Sequence, residues 1–148
     1  MKTKVIFLVF SIFFTVNTAF AQKNKEAKSI ISQSVAIKKY HNKSELQSMQ
    51  KGELLSLYVE RIESLVKTLP YIAFATKPGV TMTTLGIPNT SDNRKMLDAQ
   101  FEETDKYMES NKEFQNTFLP YSDTQNLIAA ILFYEEIIKS LHTYSEFR

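Results

Sequence analysis

Four stretches of the chain carry apolar residues at helical spacing, and one long stretch between the second and third does not. The first covers residues 25–40. Ala27, Ile30, Ile31, Ser34, Ile37 and Lys38 fall on one face at steps of three and four, and Val35 widens the stripe. This spacing predicts a helix that exits through His41-Asn42-Lys43. A second helix is expected over 44–69, with Leu46, Met49, Leu55, Tyr58, Ile62, Leu65, Val66 and Leu69 as its stripe. Ser44-Glu45-Leu46-Gln47 fits a capping box at its start. Gly52 is a weak point in it, costing about 1 kcal/mol against alanine, and Pro70 disfavours helical geometry at Leu69.

The third pattern spans 92–117 and is marked by Leu97, Phe101, Thr104, Met108 and Phe118, with Tyr107 and Phe114 beside them. Glu102, Glu103, Asp105, Glu109 and Glu113 make much of this helix a solvated surface. The fourth, over 123–145, opens after Pro120 on Ser122-Asp123-Thr124-Gln125, a second capping-box pattern. Residues 127–134 are apolar on every side, the pattern of a helix surrounded by its neighbours. Four such elements, without strand alternation or internal repeat, predict an all-α fold: a four-helix bundle of two antiparallel hairpins.

The connection between the hairpins, residues 70–90, is far longer than ordinary helix–helix loops. Its sequence PYIAFATKPGVTMTTLGIP holds three of the four prolines and two of the three glycines, yet is largely apolar. A solvated linker would be rich in Ser, Gly, Glu and Lys. Lys77-Pro78-Gly79-Val80 reads as a turn with glycine at the position that needs positive φ. Residues 81–85 read as one helical turn ended by Gly86. The segment either caps the open end of the bundle or leaves a binding lip. Phe74 is expected inside, and Tyr71, Met82, Leu85 and Ile87 are the candidate partner contacts. A carrier of a small apolar ligand is the alternative, with Phe74, Phe101, Phe133 and Tyr134 as its lining.

The start of the chain changes how the composition is read. Lys2 and Lys4 precede an apolar run over residues 5–16, and Ala19-Phe20-Ala21 supplies small residues at cleavage-site spacing. Residues 1–21 are expected to be a cleaved signal peptide, leaving 22–148 as one exported helical domain, periplasmic or secreted. A signal anchor is the other reading, but the apolar run is short for a span of roughly 30 Å. Without Lys2 and Lys4 the chain has sixteen basic and sixteen acidic residues, so net charge gives no argument for nucleic acid. The charge is uneven, however. Residues 22–43 carry six lysines and one acid, whereas 96–148 carry ten acids and four bases. Either the first helix packs beside the acidic hairpin or its lysines face an anion. There is no cysteine, which excludes disulfides, thiol catalysis and lipid attachment at a cysteine.

Catalytic patterns are nearly absent. His41 and His142 are the only histidines. No Glu-x-x-His occurs, so the bundle di-iron pattern is missing, and Glu135 with His142 would need a further acid to hold a metal. Ser48–Lys51 and Ser64–Lys67 match Ser-x-x-Lys and Ser91-Asp92-Asn93 matches Ser-Asp-Asn, but Lys67-Thr68 is followed by Leu69 rather than glycine. Three glycines can scarcely build a phosphate loop. The neighbouring acids Glu102-Glu103 and Glu135-Glu136 point about 100° apart on a helix. No catalytic, cofactor-binding or metal residue is assigned.

The lysine-start signal ending Ala-Phe-Ala, the cysteine-free helical body and the LPYIAFATKPGVTMTTLGIPN segment resemble small exported proteins of unknown function from flavobacteria-like bacteria. The resemblance implies a periplasmic or secreted location and carries over no site residue. The expected role is a non-catalytic binding module whose partner is a protein or an envelope component.

Overall fold

The computed structural model describes residues 27–144. The signal-peptide reading therefore lies outside the described residues. Among these residues there are four α-helices: α1 (Lys43–Gln47), α2 (Lys51–Thr68), α3 (Ser91–Phe118) and α4 (Thr124–Tyr144). Short 3-10 turns cover Gln33–Val35, Leu69–Tyr71, Thr83–Leu85 and Leu119–Tyr121. Among the described residues the only β pairing is one isolated antiparallel bridge between Ser29 and Thr81. The fold is all-α, built on three long helices.

The expected first helix does not form. Apart from the turn at Gln33–Val35, residues 27–42 run as an irregular strap. Its serines offer the backbone other partners. The Ser29 hydroxyl donates to the Ile31 carbonyl at 2.7 Å and lies 3.2 Å from that of Val80. Ser32 accepts from the Ser34 N–H. Such local bonds compete with helix formation, and the β-branched Ile30, Ile31, Val35 and Ile37 do not favour it. The apolar spacing was real, but it serves burial: Ile30, Ile31 and Val35 are core residues.

The expected second helix is split at residues 48–50. The capping box lies two residues earlier than Ser44. Asn42 Oδ1 accepts the Glu45 N–H, and Glu45 Oε2 accepts the Asn42 N–H, each at 2.9 Å. Gln50 then donates its N–H to Glu53 Oε2 at 2.8 Å and opens α2. Thr90 caps α3 by accepting the Asn93 N–H. Asp123, not Ser122, caps α4 by accepting from Gln125 at 2.7 Å.

Two helices end on the same tripeptide. Leu69-Pro70-Tyr71 closes α2 and Leu119-Pro120-Tyr121 closes α3, each as a 3-10 turn. In both, the leucine N–H still reaches back four residues, to Leu65 and Gln115. The proline that follows has no N–H to continue the ladder. This is a short internal repeat that the sequence reading missed. Its two copies differ in setting: Tyr71 is core, whereas Tyr121 is 89% exposed.

Two apolar cores result. One joins α1, α2 and α4 through Leu46, Leu54, Leu127, Ile128 and Ile131. The other joins the strap to the 70–90 connection through Ile30, Ile31, Val35, Tyr71, Ala75 and Met82, with Leu97 and Phe101 of α3 packed against it. Gly79 and Gly86 take φ of +101° and +72°, which lets the connection fold back over this second core. The helix α2 packs on both α3 and α4, most extensively on α4. The short turn between α3 and α4 does not make them each other's main packing partner, contrary to the simple hairpin expected. Nor is α4 buried all round, since Ala129 and Phe133 face solvent.

Candidate functional site

The four expected ligand-lining aromatics are not brought together. Phe101 meets Tyr71 edge-on, ring centroids 6.2 Å apart. Tyr134 meets Tyr58 at 5.5 Å and Phe133 at 6.0 Å, in the other half of the molecule. Phe133 is exposed, and Phe74, expected inside, is half-exposed beside a recess of about 160 Å³ shared with Ile72 and Tyr144. Of the expected partner contacts, Tyr71 and Met82 are buried, and Leu85 and Ile87 are half-buried against the same core. The connection caps the strap rather than offering these four as a lip, because an extended strap leaves an apolar flank that a helix would have covered itself.

Glu135 and His142 have different partners. His142 Nε2 lies 3.3 Å from the Tyr40 hydroxyl. Glu135 is fully buried among other partners. Its Oε1 accepts from Arg61 Nη2 at 2.7 Å and Nε at 3.0 Å, and its Oε2 accepts the His41 N–H at 2.7 Å. His41 Nδ1 stands 3.2 Å from Oε1. Arg61, 1% exposed, also donates to the Lys39 carbonyl at 2.8 Å. Burial alone would raise the Glu135 carboxyl. Hydrogen bonds from the His41 backbone, Arg61 and the His41 ring outweigh it and hold that carboxyl below its ordinary range. The network ties the strap to α2 and α4 at the level between the two cores.

The sequence alone offered Glu135 as a partner of His142 in a metal site and did not single out Arg61. A usable signal was present: Leu54, Arg61, Leu65 and Thr68 share one face of α2, and Ile131, Glu135 and Ile138 recur at steps of four and three. No group of three His, Asp or Glu side chains suited to a metal occurs among the described residues.

Several exposed apolar side chains lie on α3. Steps of eleven, seven and four residues bring Met96, Tyr107, Phe114 and Phe118 to one side of the helix. All four are between 54% and 71% exposed. Phe114 and Phe118 stack on each other at 4.5 Å, and Tyr121 follows at the helix end. Leu97, Phe101, Thr104 and Met108 lie about a quarter-turn away and face the protein. The apolar arc of α3 is thus wider than the surface the fold provides for it.

Acidic residues occupy much of the remaining circumference. Lys106 is held by both Glu102 and Glu103, at 3.0 and 2.9 Å. Glu109 and Glu113 have no ion-pair partner among the described residues. Among the described residues no helix is long and apolar enough to cross a membrane. Comparison with protein-family models, with curated proteins and with solved structures finds no match for this chain.

Proposed function

We propose that the protein is a non-catalytic interaction module that works outside the cytoplasm and docks a partner protein on the outer face of α3. The observation that carries this reading is the exposed aromatic stripe Met96, Tyr107, Phe114 and Phe118, continued by Tyr121. Exposed apolar side chains repeated along one helix face, with a stacked pair at its end and polar groups around them, suit an interaction site. Aromatic side chains and methionine are enriched in the centres of such interfaces.

The rim selects the occupant. Residues 102–118 carry five acids and two lysines, and Glu109 and Glu113 have no ion-pair partner among the described residues. The complementary partner is a basic segment with an apolar face, such as a Lys- or Arg-rich amphipathic helix. A second copy of α3 would bring like charges together, so self-association through this face is disfavoured. The carrier reading has no comparable support, because its four lining residues are scattered. The export assignment rests on the N-terminal lysines, apolar run and Ala-Phe-Ala.

Site-specific photocrosslinking from position 114 in the producing cell tests the reading. A captured segment that is basic and amphipathic is expected, with capture reduced by salt and by Phe118→Asp. The same substitution should change stability by only about 0.5 kcal/mol, as at other exposed sites. Crosslinks to a second copy of the chain, or capture indifferent to salt and to Phe118→Asp, would overturn the assignment.

A further inference from the structure

A second, independent site lies between the strap, the end of α2 and the middle of α3. It is a groove of about 510 Å³ lined by Lys28, Ser29 and residues 32–34, by Lys67 and Tyr71, and by Phe101, Thr104 and Asp105. This volume falls within the roughly 300–1,000 Å³ usual for small-molecule sites. One part is aromatic, made by the edge-on Tyr71 and Phe101 rings. The remainder is hydroxyl, amide and paired charge.

The charges are already satisfied. Lys67 bridges Glu63 at 2.7 Å and Asp105 at 2.8 Å. Burial by itself would lower the Lys67 ammonium, but the bonds to Asp105 and Glu63 outweigh it and hold it above its ordinary range. Lys28 pairs with Asp98 and lies over the Phe101 ring at 4.8 Å. A bare anion or cation would have to break one of these pairs. An uncharged ligand rich in hydroxyls could instead bond both members of a pair at once, since Asp105 only accepts and Lys67 only donates.

A further polar group points the same way. The Tyr71 hydroxyl is buried and has no hydrogen-bond partner among the described residues. Buried polar atoms nearly always have partners, so this one marks a place where the described residues do not complete the bonding. Gln33 and the Ser32–Ser34 hydroxyl pair, 2.9 Å apart, supply further donors and acceptors to the lining of the same groove.

We infer that this groove is a saccharide-binding site, with the apolar edge of a sugar ring against Phe101 and Tyr71 and its hydroxyls on Lys67, Asp105 and Gln33. A small shift of the strap would admit one ligand hydroxyl to that of Tyr71.

The test is saturation-transfer NMR on residues 22–148 with maltose, lactose and diacetylchitobiose. Phenylalanine, inorganic phosphate and octanoate serve as probes of the competing ligand classes. At least one disaccharide is expected to bind, and Phe101→Ala should abolish that binding. Tyr71→Phe should weaken it about tenfold while leaving the melting temperature unchanged or higher, because the orphaned hydroxyl is removed. That opposition separates a ligand contact from a structural role, which would lower stability and binding together. Silence from all three sugars would overturn the inference. So would binding by phosphate, phenylalanine or octanoate alone, or sugar binding unaltered in both Tyr71→Phe and Asp105→Asn.

Discussion

Arg61 and Glu135 are the side chains at which a single change costs most. Each is buried, and each is the other's charge partner at 2.7 Å. Glu135→Ala leaves the buried Arg61 with only the half-exposed Glu60 at 3.2 Å and strands the His41 N–H, so it should still cost about 3 kcal/mol. Replacing both, as Arg61→Met with Glu135→Leu, removes the desolvation cost along with the attraction. That double variant should recover part of the single variant's loss, the remainder being the cost of orphaning the His41 N–H and the Lys39 carbonyl. Urea denaturation of the two variants separates the cases; equal losses would show that the network contributes something a well-packed apolar pair cannot replace. Acid provides a second check. The folded Glu135 carboxyl titrates below its ordinary value. Its contribution is therefore fully present above the unfolded value, about 4.3, and is lost as pH falls through the folded one. Wild type should lose stability below about pH 4 more steeply than the double variant does. The sequence held the clue to this pair, since both residues sit at steps of three and four among apolar neighbours. Residue type argued for solvent, and nothing in one helix reveals that a second places the opposite charge at the same height.

Elements were legible where their ends are marked chemically. α3 runs Ser91–Phe118 against an expected 92–117, because Thr90 caps it and Leu-Pro-Tyr stops it. α4 runs Thr124–Tyr144 against an expected 123–145, with its cap at Asp123 rather than at Ser122. The strap was misread because helical spacing alone cannot weigh three serines that bond locally. The connection is legible as an apolar segment, cap or lip, with Gly79 and Gly86 in the positive-φ positions their turns require. What it covers could not be foreseen once the strap was taken for a helix. The glycines give a paired prediction at this scale. Neither Gly52 nor Gly86 has any atom within 4 Å of an added Cβ, so space does not distinguish them. Backbone conformation does. Gly86 sits at φ +72°, where an L side chain costs roughly 1–2 kcal/mol. Gly52 lies inside α2, where alanine recovers up to about 1 kcal/mol. Gly86→Ala should lower the denaturation midpoint and Gly52→Ala should raise it. Shifts of the same sign would mean that the turn at Thr83–Leu85 is not held in this geometry in solution.

The whole molecule is two cores of unequal construction joined by a polar layer. The core of α1, α2 and α4 is held by long helices whose backbone bonds are internal to each element. The other core is held by irregular chain. Its strap and connection are linked through the Ile30 N–H to the Val80 carbonyl at 2.8 Å, the Gly79 N–H to the Ser29 hydroxyl at 3.0 Å and the Ser29–Thr81 bridge. Between the cores, Ser64 donates to the Val35 carbonyl at 2.9 Å and Arg61 to that of Lys39. Few bonds of this kind need break to release the strap, whereas releasing α4 means abandoning its whole contact with α2. Regions with few protecting bonds open at lower free energy than the core helices. The two candidate sites respond differently to such opening. The α3 stripe survives it, because that face owes nothing to the strap. The groove does not, because the strap is one of its walls. Ile31 is fully buried in the second core, and Ile31→Ala should cost about 2–5 kcal/mol there. Hydrogen exchange followed by mass spectrometry should then show protection lost over residues 28–35 and 71–87. Peptides from 54–65 and 127–138 should keep theirs. Disaccharide binding should weaken in the same variant while crosslinking from position 114 persists. Uniform loss of protection across all four segments would instead mean that the cores unfold as one unit, and the polar layer would then be a rigid joint rather than a seam.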